Sequence, residues 1–454
     1  MAIAAVAYTA ASMVFGLVLL LPLLALGAAS FLSGGGDGGG SLFALYGTVS
    51  FVLWPLSLLA VWGALYWERL TTRSVLVGSL RSDTFDPTGR SLRMELVPLA
   101  PGERRRLQVV DDLQQRHNLT AYSGYFPFLG AGGQIRTWSF GIDLSRGTPD
   151  PIDNGSRTPA KAPQPFRVSE LQDYLTERLE ALRSPSLDPG QRIDGLIVED
   201  RLFVHGTDVW RDRRLLPDVG QPPVAWVPPE LLRQIGDDPG GVVRHFKCAR
   251  VESWGREVVL SVFLHFATDG RTLYVEQTAC LLPPIDARYR VVDRMTRRLS
   301  SEDRSALLWV TLKDAPAALL RAPVELWRGW RSKQRERKHD DRLRAAVAEG
   351  LPMDYGASVS VRELGAGGGC RFWFQQLDAA KHQKIIELHV LNAILDFLES
   401  HHVDTAEFRG RQASILNNNT LIAAGDISGS QIAIGTGATA TMAGTPPPAT
   451  AAAN

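Results

Sequence analysis

Apolar positions along this chain follow three different rhythms, and each predicts a different kind of structure. Near the N-terminus they run almost without interruption. Val14–Leu32 and Ser41–Trp67 contain no charged side chain, and each is near the ~20 residues that a membrane-spanning helix needs. The loop between them, Ser33–Gly40, is glycine-rich and carries a single charge, Asp37. The pattern predicts a transmembrane helical hairpin over residues 1–72. Pro22 and Pro55 are tolerable within such spans, and Tyr66 and Trp67 fall where an interfacial aromatic belt would lie. Arg69, Arg73 and Arg81 follow the second run, so the positive-inside rule predicts a plasma-membrane protein with both termini and everything after Trp67 in the cytoplasm. Neither run holds an Asp, Glu, Lys, Arg or His of the kind that marks an ion pathway.

From residue 73 to about 322 the rhythm shortens and varies, which predicts a cytoplasmic α+β domain with an antiparallel sheet. Leu107, Val110 and Leu113 recur at helical spacing. Leu119–Phe128 and Gln134–Leu144 read as strands, arranged like a hairpin around Gly130–Gly133. Leu171, Tyr174, Leu175, Leu179 and Leu182 form one stripe of a helix over Glu170–Arg183, with Ser169 and Gln172 as a capping box. Ile193–Val198 and Arg201–His205 read as two short strands flanking Glu199 and Asp200. The strongest sheet signal is Glu257–Phe266, the turn Asp269-Gly270, and Arg271–Leu282. Strands in adjacent pairs, without β-α alternation, disfavour a doubly wound nucleotide-binding sheet.

Helical spacing returns over 323–413. Trp327, Arg328, Trp330, Arg331 and Lys333 open a basic helix that is either a solvated face or a surface for anionic lipid. Ala379–Ser400 carries a wide apolar stripe through Leu388, Leu391, Leu395 and Leu398, which packs on the domain or on a second copy. Residues 414–442 hold one charge, Asp426, and short β-favouring alternations broken by glycine; residues 443–454 read as a disordered end.

Composition narrows the function classes. The 49 basic and 48 acidic residues of the 454-residue chain leave a net charge of +1, which argues against nucleic acid as a partner. Three scattered cysteines, Cys248, Cys280 and Cys370, form neither a zinc ribbon nor a disulfide framework. No phosphate-binding loop, zinc-protease helix or nucleophile elbow occurs, so no cofactor, metal or catalytic residue is assigned. His401, His402 and Asp404 read as helix-end residues, and His245 and His265 as sheet residues. Asp200, His205 and Asp208 lie near one predicted hairpin and are the one polar grouping that would line a pocket.

Two resemblances add to this. The C-terminal stretch with Gln376-Leu377-Asp378, Val403-Asp404-Thr405, Arg411-Gln412 and Ile415-Leu416-Asn417-Asn418 resembles uncharacterised actinobacterial two-span membrane proteins, as do Tyr125-Phe126-Pro127-Phe128 and Trp138-Ser139-Phe140. Gln431, Ile432, Ile434 and Gly435 are similar to the core of amyloid signalling motifs, which implies self-association through the tail. The sequence thus leads to a membrane-anchored scaffold or signalling protein that binds other proteins or itself. An enzyme of unidentified chemistry is one alternative. The other is an accessory transporter subunit packing through Gly16, Gly27, Ala28 and Ala29.

Overall fold

The computed structural model describes residues 39–85, 108, 117–148, 161–219, 221–238, 240–349 and 353–417. In chain order its elements are α1 (Gly39–Ser79), β1 (Leu119–Tyr122), β2 (Gly133–Asp143), α2 (Val168–Glu180), β3 (Leu196–His205), α3 (Pro229–Gly236), β4 (Val243–Ser253), β5 (Val258–Thr268), β6 (Thr272–Leu282), α4 (Ser301–Ala348), α5 (Trp373–Ser400) and α6 (Ala406–Asn417), with one-turn helices at Val291–Arg294 and Val361–Leu364. Two compact units result, one of residues 1–111 with 287–349 and one of 112–286 with 350–454.

In the first unit the expectation of a transmembrane hairpin is overturned. Among the described residues no helix is long and apolar enough to cross a membrane. The run Ser41–Trp67 does form helix, but α1 continues through Glu68, Arg69 and Arg73 to Ser79. Its face is directed at α4. The Trp62 indole donates to the Leu308 carbonyl at 3.4 Å, and Arg69 reaches Thr311 at 3.1 Å and Asp314 at 2.5 Å. Arg73 bonds Thr296 at 3.1 Å. An apolar helix with regularly spaced polar side chains spent on a partner helix serves protein packing, and length and mean hydropathy alone do not distinguish that use from a lipid-facing one. The plasma-membrane placement and its inside-outside orientation fall with the hairpin. The first run, Val14–Leu32, lies outside the described residues, as do the stripe at Leu107–Leu113 and the tail residues Gln431, Ile432, Ile434 and Gly435.

Helix α4 runs unbroken past Pro316 and Pro323. Trp327, Trp330, Arg328, Arg331 and Lys333 are all exposed on it. Arg331 stands over the Trp327 ring at 4.7 Å, and Arg328 pairs with Glu325 at 3.1 Å.

The second unit is α+β. Its six-stranded sheet has the order β1-β3-β4-β5-β6-β2. β1 runs parallel to β3 and every other pair is antiparallel. The hairpin expected between Leu119–Phe128 and Gln134–Leu144 is therefore absent: β1 and β2 lie at opposite edges of the sheet. Local turn chemistry at Gly130–Gly133 suggested adjacency, whereas the pairing is set by strands that arrive later in the chain. The two short strands around Glu199-Asp200 are one continuous strand, β3. The hairpin at Asp269-Gly270 forms as expected, with His265 opposite Glu276 and Thr268 opposite Leu273.

Both faces of the sheet are covered, which is why β5 reads as an uninterrupted apolar run. On one face α2 and α5 lie over Leu260, Val262, Leu264 and Phe266 of β5. On the other, Phe203, Phe246 and Phe263 meet Phe128 from the strap between β1 and β2. Helix α2 is capped from outside. Asp237 accepts from the Ser169 backbone at 2.9 Å and its hydroxyl at 3.0 Å, while Gln172 turns inward instead of closing a capping box.

Candidate functional site

Strand β3 places Asp200 on the helix-covered face, opposite Lys247 of β4 in the register. Two residues back along β4, on the same face, is His245. Gln172, His245 and Lys247 are each 4% exposed, so three polar side chains are closed in under α2 and α3. They satisfy one another. Asp200 Oδ1 accepts from His245 Nε2 at 2.9 Å and pairs with Lys247 Nζ at 2.5 Å. His245 Nδ1 lies 2.9 Å from Gln172 Nε2. An amide nitrogen only donates, so Nδ1 accepts and the Nε2 position carries the proton that Asp200 receives as a hydrogen bond.

Burial works to raise the pKa of Asp200, but the His245 hydrogen bond and the Lys247 ammonium outweigh it and hold the carboxyl at about 2. A carboxyl depressed in the fold stabilises it above the ordinary value of 3.8, and that contribution is lost as pH falls from there toward about 2. We expect the urea midpoint of the wild type to drop across that acid window and the Asp200→Asn variant to show a shallower drop. Equal slopes would mean that Asp200 titrates alike in folded and unfolded chains.

The pocket grouping expected from sequence does not converge. Asp200 and His205 are five residues apart on β3 and so face opposite sides of the sheet. His205 Nδ1 lies 2.7 Å from the Thr207 hydroxyl, and Asp208 pairs with Arg211 at 3.1 Å. The partners Asp200 does have, His245 and Lys247, lie more than forty residues away on β4, where alternation marked them only as sheet residues.

A second buried polar cluster centres on Glu387 of α5, 2% exposed. Its Oε1 accepts from Trp138 Nε1 at 2.6 Å, Arg136 Nε at 3.1 Å and Gln277 Nε2 at 3.4 Å. Here burial prevails and raises the pKa of the Glu387 carboxyl. Arg136 also donates to the Ile415 carbonyl at 2.6 Å, tying α6 to β2. Sequence gave no sign of this cluster, since Glu387 looks like any polar residue on an amphipathic helix.

Neither cluster combines a nucleophile with an activating base. Cys248 and Cys280 are buried on the opposite face, and burial pushes both thiols up to about 12, so they stay protonated. Among the described residues no group of three or more His, Cys, Asp or Glu is placed to hold a metal ion. His401 sits at the α5 C-terminus against the Phe397 carbonyl, and Asp404 accepts from the Ala406 backbone at the start of α6. A shallow open hollow is lined in part by Asp404 and Phe408, and its arginines, Arg146 and Arg411, are already paired with Asp143 and Glu407.

What the domain offers outward is aromatic. The β4–β5 turn holds Trp254, Gly255 and Arg256 at φ of 55°, 64° and 70°. Left-handed backbone at two non-glycine residues costs about 1–2 kcal/mol each, and neighbours hold it in place. The Trp254 indole donates to Asp378 at 3.0 Å, and Arg256 pairs with Glu252 at 2.7 Å. Trp254 stands 6.4 Å from the Phe372 ring, and Trp373 and Phe374 follow at the start of α5. These four side chains are 42%, 50%, 68% and 61% exposed. Arginines lie nearby, two of them in ion pairs, Arg256 with Glu252 and Arg371 with Glu257 at 3.9 Å. Arg371 lies over the Phe372 ring at 5.0 Å, Arg256 is in the turn itself, and Arg362 projects from the adjoining one-turn helix. Desolvation, and then the like charges of Arg250 and Arg256, pull the Arg362 pKa down, although its side chain reaches the surface.

The AbeC-like domain family matches residues 137–431 of this chain. No curated protein matches it, and no solved structure does.

Proposed function

The chain belongs to the AbeC-like domain family, and from that premise, together with the exposed aromatic end of its sheet domain, we propose that this domain is a protein-interaction module, the binding part of a scaffold or signalling protein. The observation that carries the reading is the exposed group of Trp254, placed by a strained turn, and Phe372, Trp373 and Phe374 at the start of α5. Strain of this kind persists where surrounding contacts enforce it, and it concentrates at functional surfaces. Tryptophan and arginine are the residues that dominate binding hot spots. The partner that fits is a protein segment bearing aliphatic and acidic side chains, the aliphatic groups lying on the rings and the carboxylates meeting Arg256, Arg362 and Arg371.

Loss of a hot-spot tryptophan costs about 2 kcal/mol or more, roughly thirtyfold in Kd. The test immobilises the full-length chain and quantifies proteins retained from native extract by the wild type, by Trp254→Ser/Trp373→Ser, and by Trp210→Ser. Trp210 is also exposed, at 43%, but lies away from this end. The reading expects a salt-sensitive set of partners lost only in the double variant. Equal retention by all three chains rejects it.

A further inference from the structure

The face of the sheet that Phe128 covers continues along β3 and β4 into a patch of guanidiniums. Pairing sets Glu199 opposite Cys248 and Arg201 opposite Phe246, and alternation along β4 puts Arg250 and Glu252 on that same side. Arg201 closes on Glu199 at 3.0 Å, and Arg256 of the β4–β5 turn closes on Glu252 at 2.7 Å. Arg250 is left with the long distances, 3.8 Å to Glu199 and 3.9 Å to Glu252. Its Nε is buried without a hydrogen bond. A guanidinium in this position still has donors to give.

Arg362 joins the patch from outside the sheet. The one-turn helix that bears it is fixed at both ends. Ser360 Oγ accepts from the Glu363 amide at 3.5 Å. Past the helix, Asp286 N donates to the Gly365 carbonyl at 3.0 Å and Gly367 N to the Pro284 carbonyl at 2.8 Å. The acid of this helix, Glu363, is spent on the Gly130 and Gly132 amides. Arg362 itself makes no hydrogen bond or ion pair with any described residue. Desolvation, then the charge of Arg250, lowers its pKa, with Glu252 opposing and Arg256 adding to the fall. Four guanidiniums thus share Glu199 and Glu252. Cations crowded in a partly desolvated place repel one another, and an anion among them removes the repulsion and takes up the unused donors.

We infer that Arg250 and Arg362, with Arg256 beside them, bind a phosphoryl group. A phosphate monoester carries a charge of about −1.5 to −2 and three acceptor oxygens, which suits more than one guanidinium at once. A further carboxylate brings less charge to a place that already holds two. The group arrives as a free phosphate or on a phosphorylated side chain of the partner. For the second source the inference rests on the protein-interaction reading above, and it narrows the acid that meets Arg362 to a phosphorylated one.

Arginine Nε–H resonances of the full-length protein, followed by NMR at fixed ionic strength, test it directly. Inorganic phosphate and phosphoserine are the two probes, and acetate is the competing anion. The Arg250 and Arg362 signals are expected to shift together and to saturate, with affinity about tenfold or more above that for acetate. Tighter binding of phosphoserine assigns the source to a phosphorylated side chain, and equal or tighter binding of inorganic phosphate assigns it to the free anion. Arg362→Gln, which breaks no contact within the fold, is expected to weaken the saturation seen at Arg250 by about tenfold or more. Arg233→Gln, on α3 and paired with Asp173, leaves it unchanged. No shift, shifts that grow linearly with anion concentration, acetate binding as tightly, or an unaffected Arg362→Gln variant each overturn the inference. The retention of partners through Trp254 and Trp373 is measured separately, so failure of one reading is distinguishable from failure of the other.

Discussion

Replacing Glu387 by alanine is expected to lower the unfolding free energy by about 3–5 kcal/mol, the cost of breaking a buried ion pair from one side. The Glu387 carboxylate is the acceptor on which Arg136, Trp138 and Gln277 converge. Without it the Arg136 side chain, 14% exposed, loses the buried carboxylate it pairs with at 3.1 Å. Gln277 is already short of one partner, as its Oε1 is buried without a hydrogen bond. Glu387→Gln keeps an acceptor oxygen and nearly the same shape, so its loss is expected to be smaller, about 1–2 kcal/mol. The two variants separate through pH as well. Burial raises the folded pKa of Glu387 above the ordinary 4.5, so the wild type gains from this group at low pH and loses that gain as pH rises through the folded value. Glutamine has no such titration, and its stability profile should be flatter there. Urea unfolding of the three proteins on both sides of that range measures both effects. A Glu387→Ala variant as stable as the wild type would mean that the cluster contributes nothing net to the fold.

The second large effect is expected at Phe128. Its ring stacks on Phe263 at 4.2 Å and meets Phe246 at 5.1 Å and Phe203 at 5.2 Å edge-on. Phe128→Ala is expected to cost about 3–5 kcal/mol, from lost burial and the cavity left behind. The strap that carries Phe128 is also pinned through its glycines. Gly130 N and Gly132 N both donate to Glu363, at 2.8 and 2.9 Å. Gly132, at φ of 88°, runs so close to β6 that a Cβ would lie 2.2 Å from the Leu281 carbonyl oxygen. Loss of the ring therefore loosens the whole cover of this face, beneath which lie Cys248 and Cys280. Their reaction with a thiol reagent under native conditions should accelerate in Phe128→Ala, whereas Phe128→Leu should fall between. Unchanged reactivity together with unchanged stability would place the cover of this face elsewhere.

The aromatic phrase Tyr125-Phe126-Pro127-Phe128 was visible in the sequence, but its role was not. Phe128 sits in a loop and finds its partners on β3, β4 and β5, which are adjacent only after the sheet assembles. The polar clusters follow the same rule. Sequence groups Asp200 with His205 and Asp208, its neighbours along the chain. Register joins it instead to Lys247, two positions along β4 from His245. The membrane hairpin expected from sequence has a related cause. An uncharged run of helical length is compatible with lipid and with another helix alike, and in α1 the choice rests on Trp62 and Arg69 meeting Leu308 and Thr311 of α4, and Arg73 meeting Thr296 just before it, each more than two hundred positions away.

What the sequence determined by itself were the properties set within a few residues: the β5–β6 hairpin through Asp269-Gly270, the apolar stripes of α2 and α5, and the α+β character of the sheet domain. Tertiary structure alone decided the parallel β1–β3 pair, the strap over the aromatic face, the pairing of Asp200 and Glu387 with distant bases, and the partner of α1. Local periodicity fixes which face of an element is apolar, because that depends on backbone repeat. Which two faces meet depends on contacts between residues far apart in the chain, and no single segment encodes them.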